Sequence, residues 1–161
     1  MEAHEPIIVT CYIDASYGVH ADRKCHTGCA ITLGDGTIYA KSATQKLNTK
    51  SSTEAELVGL SDASNQPIWT RHFLIDQEYQ DKPAIIYQDN KSTIQLISNG
   101  QSNSERTRHV DIRYFYSHDR IKLGEVKIEY KSTNEMLAVI LTKPLQGEQF
   151  RAQRNKLLNI N

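Results

Sequence analysis

The sequence predicts a single α/β domain on a five-stranded mixed sheet, three strands antiparallel and two parallel, flanked by helices. Three observations predict it. Three strand-like runs follow one another with no helical pattern between them, which favours an antiparallel start to the sheet. Two later short strands alternate with helical patterns, as parallel additions do. The 161 residues, 39% of them hydrophobic, suit one domain with one core, here residues 1–161 with the core over about 7–145.

The first strand is expected over Ile7 to Ala15, a largely apolar run rich in β-branched residues. A polar turn from His20 to His26 follows. Gly28 to Leu33 and Thr37 to Lys46 then read as a hairpin across Gly34-Asp35-Gly36. Ser51-Ser52-Thr53-Glu54 is a capping-box sequence that opens a helix through Ala63. Asn65-Gln66-Pro67 interrupts that helix, which resumes over Ile68 to Tyr79 with Pro67 in a new first turn. Ala84 to Gln88 is a short buried strand, and Asp89-Asn90 caps a helix through Ile97. A polar loop, Asn99 to Arg108, leads to a helix over His109 to Leu123 that ends at Gly124, before a strand from Glu125 to Tyr130. Ser132-Thr133-Asn134-Glu135 offers a second capping box for a helix to Thr142, and a last helix covers about 148–158. Trp69, Phe73, Tyr114 and Phe115 are expected in the core rather than as stacking platforms.

The formal net charge is zero, so nucleic-acid binding would rest on a local basic patch, not a global field. The sequence shows neither a membrane-spanning run nor a signal-peptide pattern. Three cysteines, an odd count, favour reduced thiols in an intracellular protein. Cys25-His26-x-x-Cys29 matches no common zinc spacing, and Cys11 and Cys29 read as small core residues.

Two acids end apolar strands, Asp14 and Asp89. Ligands collect at the carboxyl ends of strands in such sheets, although Asp14 alone could be a turn residue and Asp89 a helix cap. On the first helix, Leu57, Leu60 and Ala63 centre the apolar face at 100° per residue. Glu56 lies at the edge of that face, whereas Glu54 points away and is explained as a cap. A carboxylate turned toward the sheet needs a compensating charge. A divalent ion between Asp14, Glu56 and Asp89 would supply it, and hard oxygen donors suit Mg²⁺ or Mn²⁺.

The segments SSTEAELVGLSDA, IYQDNKSTI, RTRHVDIRYF and AVILTKPL resemble the ribonuclease H domain of copia-type (Ty1/copia) retrotransposon Pol polyproteins, in order and over about Ile7 to Leu145. The resemblance implies a ribonuclease H-like fold, cleavage of the RNA strand of RNA–DNA hybrids with two Mg²⁺ (or Mn²⁺) ions, and a reverse transcriptase domain of the same polyprotein as a partner. It implies work in the cytoplasm, in virus-like particles, or in the nucleus. It places the family's catalytic and metal-binding acids at Asp14, Glu56 and Asp89. At the fourth position the family's Ala-Asp-Ile-Leu-Thr-Lys-Pro-Leu is here Ala138-Val139-Ile140-Leu141-Thr142-Lys143-Pro144-Leu145. Val139 also lies off the apolar arc of the helix expected there, where a polar side chain would be natural. The resemblance therefore implies that one ion is held weakly and that cleavage is impaired.

Asn90, Arg106, Arg108, His109 and Arg113 are the substrate-binding candidates. The cations suit phosphates, and Asn90 suits the 2′-hydroxyls that mark RNA. The competing reading is a non-catalytic domain of the same fold that binds nucleic acid or a protein partner. A strand-transferase site using Glu125 is disfavoured, because Glu125 opens a strand where that pattern needs a helix.

Overall fold

β1 (Val9–Ser16), β2 (His26–Leu33) and β3 (Gly36–Thr44) form an antiparallel meander, and β4 (Ala84–Gln88) and β5 (Val126–Tyr130) add to it in parallel. The strand order is β3-β2-β1-β4-β5, the mixed five-stranded sheet that the sequence predicts. This computed structural model describes residues 6–79, 81–99 and 108–160, without the side chains of 108 and 109.

The helices are α1 (Ser52–Ala63), α2 (Asn65–Asp76), α3 (Lys91–Asn99), α4 (Arg108–Lys122) and α5 (Gly147–Leu158). Ser51 caps α1 by accepting from the Glu54 amide at 3.2 Å, and the Glu54 carboxylate accepts from the Lys50 amide at 2.7 Å. Glu54 is therefore spent on the cap, as expected. The break before α2 is smaller than expected. Ser64 alone separates the helices, and Pro67 is the third residue of α2, where a proline's missing N–H has no helical acceptor to lose.

The main core lies between one sheet face and α1. Cys11 and Ile13 of β1, Ile86 of β4, Leu57 and Leu60 of α1 and Tyr114 of α4 are all essentially inaccessible. The core expectation holds for Tyr114 but not for Trp69, Phe73 and Phe115, which are 61%, 49% and 49% exposed. Trp69 and Phe73 stack on each other along the outer face of α2, with ring centroids 5.8 Å apart.

Two expectations near the chain's end are overturned. No α-helix runs to Thr142; the segment is a 3₁₀ helix, Leu137–Leu141. Its three residues per turn replace the 100° wheel on which Val139 fell outside the apolar arc. Val139 is 2% exposed and clusters with Met136 and Ala138 on the second face of the sheet, beside Tyr12, Tyr87 and Leu145. The site thus accommodates an apolar side chain. Among the described residues, no helix is long and apolar enough to cross a membrane.

Candidate metal centre

β1 and β4 are adjacent and parallel, with Tyr12 opposite Tyr87. Side chains two residues apart share a strand face, so Asp14 and Asp89 continue the two rows that the tyrosine pair begins. The tyrosine rings pack at 5.2 Å. The two acids thereby reach the same rim, at the carboxyl ends of neighbouring strands. Asp89 is not a helix cap. Asn90 takes that role, its side-chain oxygen accepting from the Thr93 amide at 3.1 Å, which leaves Asp89 to face the rim.

The third acid comes from α1, which approaches β2 closely because Gly59 has no side chain. A Cβ there would lie 3.1 Å from the Thr27 hydroxyl. Glu56, one turn earlier, reaches over the strand ends. One of its oxygens accepts from the Ala15 amide and the other from the Gln88 side chain, each at 3.1 Å. The carboxylate oxygens of Asp14, Glu56 and Asp89 lie within 4.8 Å of one another. The three acids expected to share a site are brought together.

The electrostatics of the cluster call for a cation. Asp14 is fully buried and Glu56 is 5% exposed. Burial, then the charges of Asp14 and Asp89, push the Glu56 carboxyl up to about 8. Burial also raises Asp14, opposed by the Thr142 hydroxyl and the Lys143 ammonium and reinforced by Asp89. Three carboxylates this close repel one another when ionised, and a hard divalent ion would relieve that repulsion. The donor set fits such an ion.

The segment after the 3₁₀ helix also serves the site, which sequence reasoning did not foresee. Thr142 donates its hydroxyl to Asp14, and Lys143 Nζ lies 3.4 Å from Asp14 Oδ1. Thr133 donates to Asp89 at 2.7 Å. The approach is possible because Gly28 is the residue across from Asp14 on β2. A Cβ on Gly28 would come within 2.8 Å of Ala138 O, Leu141 Cβ and Thr142 Cγ2. The signal available in the sequence was Thr142-Lys143-Pro144, a hydroxyl and an ammonium set just before a proline that stops the helical run.

Of the substrate-binding candidates, Arg106 lies outside the described residues, as do the side chains of Arg108 and His109. Arg113 pairs with Asp62 of α1 at 2.9 Å, and Tyr116 donates to Asn65. These contacts run α4 and the α1–α2 stretch side by side in one direction, so Arg108 opens α4 at the end of the helix layer that carries Glu56. Glu125 is occupied elsewhere, by Arg120 at 2.9 Å and His72 at 3.3 Å. The three cysteines are buried and free, with Cys11 and Cys29 in van der Waals contact at 3.6 Å and no metal cluster around Cys25 among the described residues.

No protein-family model matches the chain. Among curated proteins it is 33% identical over 140 residues to the retrovirus-related Pol polyprotein from transposon TNT 1-94 of Nicotiana tabacum, covering 86% of this chain and 10% of that protein. It is 30% identical over 148 residues to the corresponding polyprotein from transposon RE1 of Arabidopsis thaliana, covering 91% of this chain and 10% of that protein. It is 29% identical to the transposon Ty1-NL2 Gag-Pol polyprotein of Saccharomyces cerevisiae, covering 91% and 8%. The chain thus spans about a tenth of the length of these relatives. Among solved structures it is similar to LC11-RNase H1, with a TM-score of 0.63 at 14% identity, covering 84% of this chain and 92% of that one. The N-terminal RNase H domain of rv2228c from Mycobacterium tuberculosis follows, with a TM-score of 0.58 at 12% identity, covering 92% and 97%. LC11-RNase H1 is also known in complex with an RNA/DNA hybrid, and that structure matches with a TM-score of 0.57 at 12% identity, covering 83% of this chain and 93% of that one.

Proposed function

The chain is homologous to a segment of Ty1/copia-type Pol polyproteins and has the ribonuclease H fold, and from that premise we propose that it descends from a metal-dependent endonuclease for the RNA strand of RNA–DNA hybrids, impaired at position 139. The observation that carries the reading is the meeting of Asp14, Glu56 and Asp89 within 4.8 Å at one sheet rim. These three residues would hold Mg²⁺ or Mn²⁺. A divalent ion bound by such a cluster polarises a phosphodiester and lowers the pKa of bound water.

The chain's own residues supply orientation and charge. Thr142 and Lys143 fix Asp14, Thr133 fixes Asp89, and Ala15 and Gln88 fix Glu56. Each carboxylate is therefore held before any ion arrives, which lowers the reorganisation that binding requires. Arg106, Arg108, His109 and Arg113 are proposed to grip phosphates, and Asn90, beside Asp89, to read the 2′-hydroxyl face. The partner proposed is an RNA–DNA hybrid, with a reverse transcriptase domain of the same polyprotein, in cytoplasmic particles or the nucleus.

Val139 offers no oxygen donor where the family resemblance expects an aspartate, so a second ion would lack a protein ligand. Restoring Val139→Asp is expected to raise Mg²⁺-dependent nicking of RNA opposite DNA at least tenfold, read on a labelled hybrid duplex. A rate that stays at the metal-free background in both proteins would refute the reading. Hybrid binding without turnover in both would favour a non-catalytic domain of the same fold.

A further inference from the structure

We propose that His20 and His26 form a second ion site, for an imidazole-preferring divalent metal of the zinc class, separate from the carboxylate cluster. The site lies outside the proposed nuclease chemistry and does not depend on it.

The two rings are tilted 43° to each other, and their nitrogens rather than their faces meet. His20 Nε2 stands 2.9 Å from His26 Nδ1, and the Thr44 hydroxyl stands 3.2 Å from the same His20 nitrogen. Two donors that share one zinc ion, each about 2.0–2.1 Å from it, lie roughly 2.9–3.4 Å apart for angles between square and tetrahedral. Both spacings fall in that range.

The network around His26 fixes which of its nitrogens offers a lone pair. The Ser42 hydroxyl gives its proton to Leu141 O at 2.7 Å, so toward His26 Nε2, also at 2.7 Å, it accepts. Nε2 therefore carries the ring proton, and the Nδ1 lone pair faces His20. A far-side N–H tied to a fixed acceptor is the arrangement that orients a metal-ligating histidine. Without an ion, His20 donates from Nε2 to that lone pair. With an ion between the rings, the His20 proton sits on Nδ1 instead, and the net charge of the pair is unchanged.

The fold delivers both rings. His26 opens β2 opposite Ser16 on one side and Thr44 on the other. The segment after β1 turns back sharply: the Arg23 amide donates to His20 O at 2.8 Å, with Arg23 in the left-handed region at φ 61°, and the His20 amide donates to Lys24 O at 3.3 Å. His20 is thereby returned to the strand it has just left. Cys25 takes no part, since its sulfur accepts from the Gly18 amide at 3.4 Å and lies 3.2 Å from the Thr49 hydroxyl. Ser16 is two residues past Asp14 on the same strand face, so the pair sits beyond the carboxylate cluster on the same side of the sheet. Two imidazoles and a hydroxyl carry no negative charge. Such donors suit zinc-class ions, whereas Mg²⁺ prefers the carboxylates. An ion held here clips the β1–β2 turn to the sheet.

The test is a Zn²⁺ titration of the chain in excess Mg²⁺, for the wild type, His20→Gln, His26→Gln and Glu56→Gln. It is read by calorimetry and by the ¹⁵N resonances of the histidine rings. In the wild type, the resonances of His20 Nε2 and His26 Nδ1 are expected to move together, ahead of those of the other histidines. This readout uses the unaltered chain, so it stands whether or not a variant folds. Each histidine variant should weaken binding roughly tenfold or more, and Glu56→Gln should stay within about twofold. Zn²⁺ uptake that leaves both resonances in place, or equal affinity in the wild type and both histidine variants, overturns the inference. Loss of binding in Glu56→Gln alone also overturns it, because the ion then sits among the carboxylates. No Zn²⁺ uptake by the wild type overturns it outright.

Discussion

Glu56 makes the metal-free protein most sensitive to pH, and Glu56→Gln measures how much. In the fold its carboxyl is pushed from an ordinary 4.5 up to about 8, first by burial and then by Asp14 and Asp89. Between those two values the unfolded chain is ionised while the native state keeps its proton. Stability is therefore fully present below about pH 4.5 and is lost as the pH rises toward 8. Each tenfold in proton affinity is worth about 1.4 kcal/mol, so the loss from this residue reaches at most about 5 kcal/mol, a large part of a domain's total of roughly 5–15 kcal/mol. The glutamine cannot ionise and should flatten that decline. It also loses the acceptor facing Gln88, a cost of about 1 kcal/mol that shifts the whole curve without changing its slope. The assay is urea unfolding in EDTA from pH 4.5 to 9, for wild type and variant. Saturating Mg²⁺ should restore wild-type stability at high pH and do little for the variant. Parallel stability curves for the two proteins in EDTA would refute the argument, because they would mean that Glu56 titrates alike in both states.

Gly28→Ala should cost about 1–3 kcal/mol by overpacking, since its Cβ meets three atoms of the 138–142 segment at 2.8 Å; denaturant unfolding measures the cost, and Mn²⁺ affinity should fall with it. Ser51→Ala removes the α1 cap and should cost about 1 kcal/mol, checked by the same unfolding assay without effect on Mn²⁺ stoichiometry. Val139→Asp buries a carboxylate at a 2% exposed position, so it should lower metal-free stability by about 1–3 kcal/mol, with thermal unfolding in EDTA and in Mg²⁺ showing that the ion recovers it. Arg113→Ala is expected to lower the salt slope of hybrid binding by about one, the loss of one phosphate contact; an unchanged slope would assign Arg113 to its Asp62 partner alone.

The strands, their order of appearance and the capped helix were legible because each carries a local signal: β-branched runs, turn glycines, and Ser51 three residues before Glu54. Glu56 could be preferred over Glu54 for the same reason, since the cap claims one acid and helical periodicity turns the other inward. Those signals are properties of neighbouring residues, and a chain displays them before it folds. The register that sets Tyr12 against Tyr87, and so levels Asp14 with Asp89, joins residues 75 positions apart and has no local trace. The same holds for Gly28, whose missing side chain admits Thr142 and Lys143 to Asp14. Val139 shows the limit most sharply. Its helical-wheel position implied a polar site, but the 3₁₀ turn buries it beside Ala138 and Met136, because packing against the sheet, not the segment's own periodicity, chose the backbone there.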